Sequence, residues 1–328
     1  MSTTAGNVIR LLRTGTNAKS VHADSRKPFR FLLCGDPGLI AELRRTLLAG
    51  HDGFVPLDAA ATLETIDISA GRTIVTEDAK CILFLGRGSD AAAARLDLLA
   101  PLRLPIFAIT LDEQGSPAGP ASAPERGKIE HYTLTALDRE SLRPKVIPHI
   151  VDCCKGLEIA VARRLPAFRD AVAAKLTRDA AANALKIAMA SGIVDHVPLL
   201  GLVVGAVASA GDMVAITGIQ MMLTLQIGAA YGRDPEMSHV WELLPVVGGG
   251  FGWRALSREL TGFVPVAGVF LKGALAYAGT IVVGESVNFY YQYGRHMSRA
   301  DAAKLYEEAR ASALQFAREI VERLRKNR

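Results

Sequence analysis

Gly35-Asp36-Pro37-Gly38 is the stretch whose residue types and spacing point most directly to chemistry. It stands between Phe29–Cys34, an apolar run of strand type, and Leu39–Leu48, where Leu39, Ile40, Leu43, Leu47 and Leu48 recur at helical spacing. A glycine-bearing turn from strand into helix is where backbone amides cradle a phosphate, a lysine neutralises it and a hydroxyl holds magnesium. Here the helix opens Ile40-Ala41-Glu42, with neither lysine nor hydroxyl. Ala41 supplies no charge, and Glu42 sets a carboxylate where the helix dipole otherwise favours an external anion. Two further carboxylates come into question: Asp67, in a weak strand region running from Phe54 to Ile68, and Asp112, just past the strand Pro105–Ile109. A hydrolase with an unusual turn would use these and Asp36 for magnesium or base contacts.

Other candidates are weaker. Gly86-Arg87-Gly88 lacks the third glycine of a dinucleotide fingerprint. The seven histidines (His22, His51, His131, His149, His196, His239 and His296) include no pair with metalloenzyme spacing. Asp195-His196 reads as a polar helix terminus, and Asp212 and Lys272 as polar interruptions of apolar runs. The four cysteines, Cys34, Cys81, Cys153 and Cys154, have no metal-ligand spacing and suggest a reducing compartment. No metal or cofactor is expected, and no basic aromatic surface speaks for nucleic acid.

The elements that must position the turn alternate. Strand-type runs at Phe29–Cys34, Lys80–Leu85, Pro105–Ile109 and Glu130–Leu134 are separated by helical segments at Leu39–Leu48 and Ala91–Leu99, the latter capped by Asp90, and by a loop over Gln114–Gly127. Such alternation implies a parallel sheet with crossover helices, a doubly wound α/β domain over residues 29–165. Residues 1–28 read as disordered or as a short amphipathic N-terminus, with no secretory signal.

The order of strand, glycine turn and helix resembles the first unit of an Era-like GTPase, whose turn reads G-x-P-N-V-G-K-S. Laid on Gly35–Glu42 without gaps, Gly35 and Pro37 match, while Ile40, Ala41 and Glu42 replace the second glycine, the lysine and the serine. The family's D-x-x-G falls on Asp67-Ile68-Ser69-Ala70, with glycine displaced to Gly71, and its N-K-x-D on Thr110-Leu111-Asp112-Glu113. Thr135-Ala136-Leu137 resembles its S-A-x element. The resemblance implies a P-loop GTPase-like domain, degenerate at its phosphate loop, with GTP binding weak or absent. A flavodoxin-like or Rossmann-like sheet is the alternative.

Residues 166–297 differ in character. Half of the chain's residues are apolar and its mean hydropathy is +0.21, an excess gathered largely here. The same phrase occurs twice: Val197-Pro198-Leu199-Leu200-Gly201 leads to Tyr231-Gly232-Arg233, and Val264-Pro265-Val266-Ala267-Gly268 to Tyr293-Gly294-Arg295. Two related helical hairpins explain the pattern, with Asp212 at the turn that separates the two apolar segments of the first. Met213–Gly232 carries no charge and, at 1.5 Å per residue, spans roughly 30 Å, about one hydrocarbon thickness. Either membrane hairpins or the middle of a soluble bundle fits. The aromatic group Phe289, Tyr290, Tyr291 and Tyr293 suits a membrane interface. The net charge is +5, with basic residues flanking the block. Residues 298–328 read as an amphipathic helix capped by Ser298.

The repeated phrases resemble the bacterial hydrophobic domain of unknown function found in YcjF-type proteins, which often follows an Era-like GTPase domain. That resemblance implies association with GTPases and with the inner membrane, and supplies no catalytic residue. The expectation is a non-catalytic pseudo-GTPase scaffold or regulator at the cytoplasmic face of the membrane, with lipid and a protein partner or second copy as companions. A nucleotide hydrolase with an atypical loop and a small helical pore or transporter are the alternatives.

Overall fold

The computed structural model describes residues 18–50, 58–67, 74–87, 96, 98–112, 129–194, 203–236, 238 and 265–326. They divide into two compact units. One comprises residues 23–172 with 230–232, and the other takes the remaining residues up to 22, 173–229 and 233–328.

The first unit is α/β. Its strands are β1 (Arg30–Gly35), β2 (Leu63–Thr65), β3 (Ala79–Arg87), β4 (Ile106–Leu111) and β5 (Ile129–Leu134). All pair in parallel, in the order β2-β1-β3-β4-β5. The chain steps from β1 to β2 on one side and back past β1 to β3 on the other. Right-handed crossovers then place connections on opposite faces, and the reversal falls between β1 and β3. A sheet covered on both faces needs continuous apolar strands instead of alternating ones. Accordingly Phe31, Leu32, Leu33 and Cys34 are all fully buried, as are their neighbours Cys81 and Ile82 on β3. Leu32, Cys34, Ile82, Phe84, Ile106 and Ala108 share one core layer with Leu96 and Leu99. Phe31 points to the other layer, its ring 5.8 Å from Phe168. At the edge, β5 has only Leu134 buried.

Helix α1 (Ala18–Ser25) precedes the sheet, within the stretch 1–28 expected to be disordered or a short amphipathic N-terminus, of which residues 1–17 lie outside the described residues. Helix α2 (Pro37–Leu48) follows β1 and buries Leu39, Ile40, Leu43 and Leu47. Past β5 the chain forms three short helices, α3 (Arg139–Lys145), α4 (Ile147–Cys153) and α5 (Glu158–Arg164). Pro144, Pro148 and Pro166 lack the amide a helix interior requires, and Gly156 takes φ +76°. The helix expected over Ala91–Leu99 and the loop Gln114–Gly127 lie mostly outside the described residues.

The second unit is helical: most of α6 (Arg169–Val194), then α7 (Val203–Ala230), α8 (Pro265–Tyr293) and α9 (Arg299–Lys326). The turn expected at Asp212 does not occur, because α7 runs continuously through Gly211 and Asp212. One charge among good helix formers does not stop a helix. Glycine with positive φ does: Gly232 (+89°) and Gly294 (+66°) end α7 and α8 in the left-handed region. Arg233 N donates to Gly228 O at 2.9 Å, and Gly294 N to Tyr290 O at 2.8 Å. Each Tyr-Gly-Arg phrase is therefore a helix stop.

Small residues set the packing. Gly284 of α8 lies against Thr177 of α6, and Gly273 against Leu185 and Met189, so α6 and α8 run antiparallel. Gln220 of α7 meets Thr280 (Nε2 to Oγ1, 3.3 Å), and Gly228 meets the Tyr291 hydroxyl, so α7 and α8, the two copies of the repeat, run parallel. They are two long helices side by side instead of two hairpins. Ser298 caps α9, accepting from Asp301 N at 3.1 Å and donating to Asp301 Oδ2 at 2.6 Å. Among the described residues no helix is long and apolar enough to cross a membrane.

Candidate functional site

Three strand ends bring the sequence-derived carboxylates to one edge of the sheet. Asp36 follows β1, Asp67 lies two residues past β2, and Asp112 immediately follows β4. Neighbouring parallel strands lie about 4.8 Å apart, so Asp112, two strands from Asp36, starts roughly 10 Å away. The described residues contain no group of three acidic, histidine or cysteine side chains able to hold a metal.

The turn at this edge is closed. Gly35 has φ +113°, and a Cβ there would run into the Leu85 carbonyl of β3. Asp36 N donates to that same carbonyl at 2.9 Å. Helix α2 then begins at once, with Pro37 in its first turn, so a single residue separates strand from helix. Asp36 is the cap: its carboxylate accepts from Leu39 N at 2.9 Å, and its carbonyl accepts from Ile40 N at 2.9 Å. Gly38 leaves room for this, since a Cβ there would lie 3.1 Å from Asp36 Oδ1. The helix N-terminus, which elsewhere takes a phosphate, holds the protein's own carboxylate. Ile40 packs into the core at 6 % exposure, Ala41 is exposed and Glu42 half-buried. Asp67 is exposed, and Asp112 N continues the β4–β5 pairing by donating to Leu134 O at 3.0 Å.

Two ionisable clusters arise that short-range spacing did not single out. In the first, Asp170, 4 % exposed, is reached by Arg139 at 3.5 Å and Arg143 at 3.7 Å and accepts from the Tyr231 hydroxyl at 3.3 Å. Arg169 lies over the Tyr231 ring at 5.3 Å. Burial, then the Asp170 carboxylate, pushes the Tyr231 phenol well above its ordinary range. A buried carboxylate so surrounded is a structural tie.

The second lies where α4 packs on the sheet's β5 side. His149 Nδ1 is 2.8 Å from Glu130 Oε2, and the Tyr132 hydroxyl donates to the same oxygen. The His149 ring stands edge-on to Tyr132 at 5.8 Å, and Tyr132 stacks on Phe107 at 6.3 Å. Burial and Glu130 together push the Tyr132 phenol up. The one available signal was the spacing His149–Cys153, four residues apart on one helix face. Glu130 comes from another element and was not legible beside it.

Asp195-His196 lies outside the described residues, and the side chains of Asp212 and Lys272 do as well. Compared with known proteins, the chain matches no family model, no curated protein and no solved structure.

Proposed function

We propose that this chain is a non-catalytic scaffold or regulator, in which a GTPase-like α/β module without working phosphate chemistry is joined to an apolar helical unit that meets the cytoplasmic face of a membrane. The observation that carries the reading is the closed turn after β1, where Asp36 occupies the amides of α2 and Gly35 is pinned to Leu85. The strand order with its reversal beside that turn is consistent with a P-loop-like sheet. In such sheets the crevice at the reversal takes the ligand, and here backbone and carboxylate fill its first turn. The membrane part is supported by the long uncharged stretch of sequence and by the aromatic end of α8, where Tyr293 is 55 % exposed and Arg295 lies over Phe289 at 4.9 Å.

The module keeps a partner-binding role without turnover, and lipid and a protein partner or second copy remain its expected companions. Flotation with anionic and zwitterionic vesicles tests the membrane part. The reading requires recovery with the anionic ones, and a chain left at the bottom of both gradients contradicts it.

One observation favours a second reading, a hydrolase with an atypical loop: Asp36, Asp67 and Asp112 share the same edge. Asp36→Ala combined with Ala41→Lys and Glu42→Ser separates the two. A scaffold gains phosphate affinity from these changes, whereas an enzyme relying on Asp36 loses turnover.

A further inference from the structure

We propose that a second copy of this chain adds to the open edge of the sheet at β5, strand antiparallel to strand about a two-fold axis at His131, so that two five-stranded sheets become one. The two edges of the sheet are unlike. β2 runs only from Leu63 to Thr65, and so short an edge offers little to a foreign strand. β5 is twice that length, and among the described residues nothing pairs with its outer side. It has no proline and no lysine to block an incoming strand, and its carboxylate, Glu130, is tied back by Tyr132 and His149. His131 and Thr133 are exposed.

Pairing with β4 fixes which backbone groups remain. Leu134 O accepts from Asp112 N at 3.0 Å, so Leu134 turns its amide and carbonyl to β4. In a parallel ladder Tyr132 and Glu130, at alternate positions, do the same. The amides and carbonyls of Ile129, His131 and Thr133 therefore face outward. In an antiparallel pair, two such residues opposite each other exchange both N–H···O bonds. An axis at His131 sets His131 against its own copy and Ile129 against Thr133 of the second copy, so every outward position meets another.

The side chains favour this register over its neighbours. With the axis at His131, Glu130 stands across from Tyr132 of the second copy at about 4.5 Å between Cα atoms, an acceptor facing a hydroxyl donor. Within one strand these two side chains already share a hydrogen bond. An axis at Glu130 opposes two carboxylates, and one at Tyr132 sets Glu130 against the apolar Leu134. The two-fold uses one surface twice and closes, as soluble homodimers do. Such pairing rests on the reading above only for its second-copy companion, and needs neither nucleotide nor membrane.

Disulfide trapping in the full chain, in a Cys153→Ser background and without vesicles or nucleotide, tests the register. His131→Cys is expected to link to its own copy under mild oxidation, since hydrogen-bonded partners lie about 5.5 Å apart at Cα. Thr133→Cys, opposite Ile129, stands roughly 14 Å from its own copy and is expected to give no link. Sedimentation equilibrium is expected to show a dimer whose dissociation constant rises about tenfold or more with Thr133→Pro, which deletes an outward amide and leaves the β4 bonds whole. The urea midpoint reports whether that variant keeps its fold, and flotation of the unlinked chain reads the membrane part separately. No link at His131, equal linking at both positions, or a dimer indifferent to Thr133→Pro in folded protein overturns the proposal. A chain that stays monomeric at about 0.1 mM overturns it too, and leaves the edge to a strand of another protein.

Discussion

Two corners of the α/β unit present opposite cases. At the β1–α2 turn, consecutive residues look like a phosphate cradle, yet the amides of Asp36, Leu39 and Ile40 are taken up by the fold itself. Asp36 caps α2, Gly35 abuts Leu85 and Ile40 is core. At the β5–α4 corner no local motif exists, yet Glu130, Tyr132 and His149 converge from two elements. A motif written in adjacent residues is as useful to a strand–helix junction as to a ligand. Groups gathered from distant positions have no such junction to serve.

Breaking the first corner gives the largest effect. Gly35→Ala places a Cβ against the Leu85 carbonyl at a positive φ, and a loss of about 4 kcal/mol is expected from urea unfolding. Substituting Asp170 by Ala takes the acceptor from the part-buried Tyr231 hydroxyl and the anion from Arg139 and Arg143, which water can still reach, and about 2 kcal/mol should be lost by the same measurement. Asp36→Ala removes a helix cap and should cost about 1 kcal/mol, with Asp36→Ser restoring most of it. If Asp36→Ala leaves stability unchanged, the turn is not held as described.

The smallest effect is a pH dependence. Asp138 caps α3 by accepting from Ser141 N at 2.7 Å, and this hydrogen bond holds its carboxyl below the ordinary 3.8. Because the folded value is depressed, the contribution is present above pH 3.8 and is lost as pH falls through the lower folded value. Asp138→Asn should flatten the acid limb of the stability profile slightly in that window.

Much of the α/β unit was legible because doubly buried strands must be continuously apolar, and the runs around Phe31, Leu83 and Phe107 are. Helix α2 was legible from its apolar spacing. The turn expected near Asp212 is absent because a single charge does not end a helix, whereas Gly232 and Gly294 adopt the left-handed conformation that does. The missing lysine and hydroxyl of the β1–α2 turn are plain in Ile40-Ala41-Glu42. Its closure by Asp36 and Leu85 was hidden because it depends on how near β3 comes. The Glu130–His149 pair was hidden for the same reason, its members being joined only by the packing of α4.

Calorimetric titration of GTP with magnesium into the full chain tests the central claim most directly. A closed turn predicts no saturable heat up to about millimolar nucleotide, the range of non-specific contact. One-to-one binding with micromolar affinity, abolished by substituting Asp36 or Asp112, would contradict it.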